Sequence, residues 1–404
     1  MSKRTLLVGL DLGERYSQLA VYDPARVEAD LMCQTEENPE GYIETSVSLE
    51  GKEPIRDFWS RIKEGRTIEV DGRESSPVNV LAYFFRKTLA LTRKKYPSET
   101  IKQLVVTTEG VSEPIAAIIY EALAKLNINK DRALVMERKQ CFAYYVMYQS
   151  KELWTNDVGL FDYHDRVLNY YQLQLDRRKT PVLVSVHHRP LQDAADMMEK
   201  DPEHKGVLFE NAVQGLIHKQ ILSSLYMTGE GFEDEWCQDV FKQLCVGRRL
   251  FLGNNLFVSG ACFAAREMGE DRRLQEYLMM DENMVSSRIT MDIYRHGKQG
   301  DCVLVKAGEP WFQVKKELEV IPDGDEELCL RIYNAFTKED KTILVELEPV
   351  QGRVDRHCRL GLKLLFTDAH TCVLTIRDMG FGEEYPSSTG SGKRCFRLIR
   401  GYRR

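Results

Sequence analysis

The sequence predicts an α/β protein that ends in an all-β module. Three observations carry this expectation. The chain opens on a hairpin pattern, LLVGLDLGERYSQLAVY at residues 6–22. Strand-like and helix-like segments then alternate as far as residue 267. From Cys302 onward the pattern changes to short alternating strands set apart by turn residues. At 404 residues, with 43% hydrophobic and 29% charged side chains, the chain can bury sizeable cores in two or three domains.

The opening hairpin pairs an apolar strand (Leu6, Leu7, Val8) with a returning one (Leu19 to Tyr22) through Asp11-Leu12-Gly13. Such a tip can aim backbone N–H groups at an anion while its aspartate faces a metal or the metal's water shell. An Asp and Gly between hydrophobic runs are equally an ordinary hairpin connection. Val27 to Glu37 continues strand-like. Tyr42 to Leu49 reads as another strand, followed by Glu50-Gly51-Lys52, and Trp59 to Val70 is mixed and charged.

Ser75-Ser76-Pro77 marks a helix start, and an apolar stripe (Val80, Leu81, Phe84, Phe85, Leu89) carries the helix to about Lys95. Ile101 to Thr107 reads as a buried strand. Ser112-Glu113-Pro114 caps the next helix. Ala133 to Met136 is a short strand leading to Glu137, and Gln140 to Gln149 an aromatic-rich helix. Val158 to Asp162 and Val167 to Leu175 make another hairpin, with a further strand at Pro181 to Val186. Asn211 to Tyr226 and Glu233 to Leu244 read as amphipathic helices. Leu256 to Ser259 reads as a strand, Gly260 as a turn, and a helix follows. Six strands over residues 302–381, with turns at Gly308-Glu309-Pro310, Pro322-Asp323-Gly324 and Gln351-Gly352, predict a sandwich. The boundary is placed near residues 285–300, giving domains at 1–290 and 300–404. No sequence repeat is visible.

The net charge of −6 argues against a broad nucleic-acid footprint. The basic end (Lys393, Arg394, Arg397, Arg400, Arg403, Arg404) reads as a solvated strand and tail. The apolar run after MSKR breaks at Asp11, too soon for a signal segment or a membrane span, and no other stretch is long enough to span. The 10 cysteines form no CxxC pair, which fits free thiols in a reducing cytoplasm.

The order of these elements resembles the actin, sugar-kinase and DnaK-type chaperone superfamily, the DnaK branch most closely, as a divergent bacterial DnaK-like family. The hairpin Val8 to Val21 is similar to the first phosphate loop of that superfamily. Pro77 to Thr107 resembles the helix and strand that lead into the chaperones' first connecting segment. Lys125-Leu126-Asn127-Ile128, the following strand and Glu137 look like the segment that carries the catalytic glutamate. Val158 to Leu173 falls where the second phosphate loop belongs, and Leu256 to Ala264 where the adenosine-contacting glycine turn belongs. The last hundred residues are similar to the chaperones' β-sandwich peptide-binding domain, without a helical lid. The resemblance implies an actin-like two-lobed α/β domain with ribonuclease-H-like halves, followed by that sandwich. It implies that ATP or ADP, where bound, contacts Gly9, Asp11, Gly13, Asp162 and Gly260. Asp11 and Asp162 would then hold Mg²⁺ through water, and Glu137 with Asp11 would serve catalysis.

The departures from that pattern point to a degenerate nucleotide site. Asp162-Tyr163-His164-Asp165-Arg166 stands where glycines would let a backbone approach phosphates. Glu14 and Arg15 replace small hydroxyl residues, and only Gly260 of a glycine pair remains. The sequence therefore predicts a chaperone-like module that binds a peptide or protein client, with no membrane or nucleic-acid partner. A working Mg-ATP-dependent ATPase or small-molecule kinase, and a ligand-free scaffold, stay open beside it.

Other motifs read both ways. Arg248 and Arg249, between Gly247 and Gly253, suit a phosphate or partner carboxylate, or else a helix end with cations on its dipole. Asp378 to Glu383 is a partner-facing loop or a sandwich corner. Thr389 to Arg394 lacks the first glycine, the Ser/Thr and the helix of a P-loop. His187 and His188 point to opposite faces of a strand, and Asp162, His164 and Asp165 are a weak candidate cation set.

Overall fold

The computed structural model describes residues 5–48, 53–70, 72–269, 272–322, 327–347, 357–387 and 391–398. The chain forms two compact units. One holds the residues up to Leu175 together with Val184–Gln275; the other holds Asp176–Leu183 and the residues from Glu276 onward.

The first unit opens with β1 (Thr5–Asp11), β2 (Tyr16–Asp23) and β3 (Glu28–Leu31), with β4 (Tyr42–Glu44) against β2. The strands predicted over Val27–Glu37 and Tyr42–Leu49 are thus shorter than the sequence pattern, and Leu49 lies outside the described residues. The mixed segment resolves into α1 (Phe58–Lys63) and the small hairpin β5 (Ile68–Val70) and β6 (Arg73–Ser75). The helix starting at Pro77 ends earlier than expected: α2 is Pro77–Leu89 and a separate turn, α3, is Thr92–Lys95. Then come β7 (Thr100–Thr108), α4 (Glu113–Ala124), β8 (Ala133–Glu137) and α5 (Arg138–Tyr148). The first sheet runs β3-β2-β1-β7-β8, with β2 antiparallel to β1, and β7 and β8 parallel to it.

The second half begins with β9 (Asp157–His164), β10 (Val167–Asp176) and β11 (Val182–Pro190). Then follow α6 (Gln192–Lys200), α7 (Lys205–Ile217), β12 (Leu222–Thr228), α8 (Cys237–Leu244) and β13 (Arg249–Leu252). The long helix expected to reach Tyr226 stops at Ile217. Lys219 adopts a left-handed φ of 59°, and Leu222 onward pairs as a strand in parallel with β9. Within this unit the second sheet runs β11-β10-β9-β12-β13, with β10 antiparallel to β9, and β12 and β13 parallel. The two sheets therefore repeat one plan: a three-strand meander followed by two parallel strands.

Residues Leu256–Glu267 form one helix, α9, and every residue from Leu256 to Ala265 is buried. The strand and glycine turn expected there are absent. A helix apolar on all sides belongs in a core. Its small residues let it approach closely: a Cβ on Gly260 would meet the Cys141 carbonyl oxygen of α5 at 1.9 Å. A Cβ on Gly9 of β1 would meet the Val258 carbonyl oxygen at 2.5 Å. Phe263 stacks on Tyr148, ring centres 4.3 Å apart.

The second unit contains β14 (Tyr277–Met279), β15 (Ser287–Arg295), β16 (Lys298–Val305), β17 (Lys315–Val320), β18 (Glu327–Asn334), β19 (Asp340–Glu346), β20 (Leu360–Asp368), β21 (Thr371–Asp378) and β22 (Ser391–Arg397). Two four-stranded sheets, β16-β15-β18-β19 and β17-β20-β21-β22, share a core of Ile289, Leu330, Ile332, Leu362, Leu364 and Leu374. This is a sandwich of alternating strands. At the corner after β21 the Asp378 carboxylate accepts the Gly380 N–H at 2.9 Å, and Phe381 is 39% exposed. The expected turns at 323–324 and 351–352, the last three cations of the basic end (Arg400, Arg403 and Arg404), and the start of the Thr389–Arg394 stretch lie outside the described residues. Among the described residues no helix is long and apolar enough to cross a membrane. All ten cysteines are free thiols.

Candidate functional site

Both sheets of the first unit carry an aspartate to the same position. Asp11 ends β1, opposite Gln18 of β2 and Thr107 of β7. Asp162 lies near the end of β9, opposite Asn169 of β10 and Thr228 of β12. The carboxyl ends of parallel strands are where α/β sheets open their ligand crevices. Both aspartates line one cavity of about 360 Å³, together with Gly13, Arg15, Tyr42, Glu109, Arg138, His164, Asn169, Glu230, Glu233, Asn254 and Phe257.

The first half is dominated by Arg138. Met136 lies level with Thr107, so the chain leaves β8 beside Asp11 and the first residue of α5 reaches it. The Arg138 Nε and Nη2 donate to the two Asp11 oxygens at 2.9 and 3.0 Å. The guanidinium also lies 5.1 Å from the centre of the Phe257 ring. Burial pushes the Asp11 carboxyl above its ordinary value, and Arg138 offsets part of that push. The two groups form a buried fork-to-fork ion pair.

The second half holds Asp162 differently. Its carboxylate bonds His164 Nδ1. Burial works against the imidazolium, but the adjacent carboxylate outweighs it and holds His164 above its ordinary value. The ring's Nε2 lies 3.9 Å from Glu230, so this dyad can keep a proton at the cavity wall. Residues 165 and 166 form a two-residue turn with φ of 49° and 65°, conformations that glycine or asparagine adopt more readily. Across the mouth Arg15 of the first hairpin pairs with Asp165 of the second at 2.8 Å.

Several of the groups that would receive a metal or a phosphate are already engaged. Asp11 is bound on both oxygens by Arg138, and one oxygen of Asp162 by His164. The Asp165 N–H donates to Glu230 at 2.6 Å and the Gly229 N–H to Asn254 at 2.7 Å, so two loop amides face side-chain acceptors. Carboxylates outnumber cations on the walls. Phosphate oxygens would meet repulsion rather than a cradle of donors. The residues present do not fit a magnesium-bound phosphate group. No group of three or more His, Cys, Asp or Glu among the described residues is placed to hold a metal ion.

Of the residues singled out from the sequence, Asp11, Gly13 and Asp162 meet at the cavity, and so do Arg15, His164 and Asp165. Glu137 is not on its lining. It caps α5, its carboxylate taking the Gln140 N–H, and it pairs with Lys139 at 3.0 Å. Gly9 and Gly260 serve packing against helix α9 and α5. Glu14 also lines the cavity, where it bonds Lys63 and Ser60. Tyr163 points into the core beside Phe232, and Arg166 stays exposed against Glu199, so neither fills the cavity. His188 bonds Asn169 at 2.8 Å. Gly247 takes a left-handed φ of 78° after α8, and Arg249, the first residue of β13, pairs with Glu152. The Arg248 Nη1 is buried without a partner among the described residues.

Sequence reasoning missed Arg138, Asn169, Glu230 and Glu233. Only Arg138 left a signal, as a cation at the first helical position directly after a strand.

The chain belongs to a family of unknown function, DUF5716, whose C-terminal model matches residues 44–282, more than half of the chain. The match begins after β3, so Asp11 and Gly13 lie ahead of it. A domain of unknown function, DUF8552, matches residues 284–398. No curated protein matches the sequence.

Proposed function

We propose that this chain is a DnaK-like binding protein whose actin-like domain has exchanged nucleotide chemistry for an internally bridged cleft. The repeated sheet plan, with an aspartate at the same position in each half, supports the two-lobed ancestry. One observation carries the loss of nucleotide chemistry: Arg138 grips both oxygens of Asp11, where the resemblance implies a metal's water shell. A working ATPase would need Glu137 at the cleft, and its carboxylate is spent on a helix cap and Lys139.

In this reading the C-terminal sandwich meets a peptide or protein client. Tyr294 (72% exposed), Leu344 (57%) and Ile321 (50%) are large apolar side chains on its surface that support the role. The ten free thiols support a reducing, cytoplasmic setting.

Calorimetric titration with Mg-ATP and Mg-ADP tests the cleft: the expected heat is that of dilution alone. Sub-micromolar binding with turnover would overturn the reading. A peptide array probed with the full chain tests the sandwich. Signals lost on Tyr294→Ala are expected, and a blank array removes the client.

A further inference from the structure

Every cation on the cavity wall already has a carboxylate. Arg138 holds Asp11, Arg15 holds Asp165, and His164 bonds Asp162. Among the described residues Glu109 has no cation within ion-pair distance, Glu233 takes the Asn254 amide at 3.0 Å, and Glu230 takes the Asp165 N–H at 2.6 Å with His164 Nε2 3.9 Å away. Like charges facing one concave space repel, and the apolar walls focus their field.

A second observation is independent of this surplus. Asp162 and Asn169 are cross-strand neighbours on the cavity lining, 4% and 5% exposed. One Asp162 oxygen is bonded to His164, and the Asn169 Oδ1 to His188. The other Asp162 oxygen and the Asn169 amide nitrogen have no partner among the described residues. Both side chains line the cavity, so a guest that brings a donor and an acceptor completes their bonding there. Tyr42, ring-paired with Tyr16 at 5.4 Å, adds an aromatic wall to the same cavity.

We propose that the cavity is a site for a small organic cation. Its ammonium or guanidinium group is held by the open Asp162 oxygen, with Glu109, Glu230 and Glu233 around it. The volume suits a ligand of metabolite size. A phosphate or other anion would face the surplus carboxylates, and a neutral guest would leave their repulsion in place. Asp11 takes no part, because Arg138 saturates it.

The test is calorimetric titration of the full chain with agmatine, which carries one guanidinium and one ammonium, and with 1,4-butanediol as the uncharged control. Saturable binding of agmatine and none of the diol is expected. Asp162→Asn should weaken binding by about 10- to 100-fold. Glu109→Gln, a change at an exposed position that leaves the fold alone, should weaken it severalfold and stands in should Asp162→Asn not fold. Absence of agmatine binding by the folded wild type, or equal affinity in both variants, overturns the proposal. The proposal rests on the reading of the cleft as closed to nucleotide. Failure of agmatine and Mg-ATP together removes only the cation assignment, whereas Mg-ATP binding overturns the cleft reading itself.

Discussion

The two halves of the first unit solve one electrostatic problem in two ways. Each carries an aspartate to the end of an inner strand, between a neutral amide residue on the hairpin partner and a threonine on the parallel strand. In the first half, Asp11 is closed off by a guanidinium that matches both of its oxygens. In the second, Asp162 is held on one side by an imidazole and is open on the other. A buried charge is stable only when paired, and the difference shows what pairing leaves over. A bidentate arginine leaves a finished structural joint, whereas a single histidine contact leaves a valence facing the cavity.

The largest effect expected from this comparison is on stability. Asp11→Ala strands a buried guanidinium and should cost about 3–5 kcal/mol in urea unfolding. Asp162→Ala leaves a neutral imidazole as one outcome and should cost about 1–2 kcal/mol. Equal costs would break the comparison. Next in size is packing. Gly260→Ala forces a methyl into the Cys141 carbonyl and should cost about 3 kcal/mol. Gly215→Ala, in α7 with open space around it, should add about 0.5–1 kcal/mol. Thermal melts of the two variants check the contrast in sign.

How much of this the sequence revealed follows from what each residue depends on. The hairpin tips with Asp11 and Asp162 were readable, because alternation and turn residues are local signals. The repeat joining them was not: the halves share strand positions, not residues, so Gln18 corresponds to Asn169 and Thr107 to Thr228 only once strands pair. Ser259-Gly260 imitates a turn because glycine is normally punctuation. Here the close approach of α5 demands glycine, a tertiary cause with no local trace. Leu222, Leu225 and Tyr226 continue the apolar spacing of α7 and so disguised β12 as helix. Glu137 drew attention away from Arg138, since which of two adjacent residues faces the cleft is settled by how β8 turns into α5.

The dyad of the second half adds a pH test. His164 is held above its ordinary value in the fold, so the stability it contributes is full below the unfolded histidine value near 6.5. That stability is lost as the pH rises through the higher folded value. Melting temperatures should fall over this window in the wild type and stay flatter in His164→Gln; identical slopes would remove the dyad. The smallest effect belongs to the bridge across the mouth. Arg15 and Asp165 are 65% and 44% exposed, and Arg15→Ala should cost no more than about 0.2–1 kcal/mol, vanishing at high salt.

The measurement that bears most directly on the central claim is a double-mutant cycle on Asp11 and Arg138, with Asp11→Ala, Arg138→Ala and the double variant unfolded in urea. A cleft built around an internal ion pair predicts a coupling of about 2 kcal/mol or more, with the double variant more stable than the single costs added together. Costs that add to within about 0.5 kcal/mol would contradict the claim.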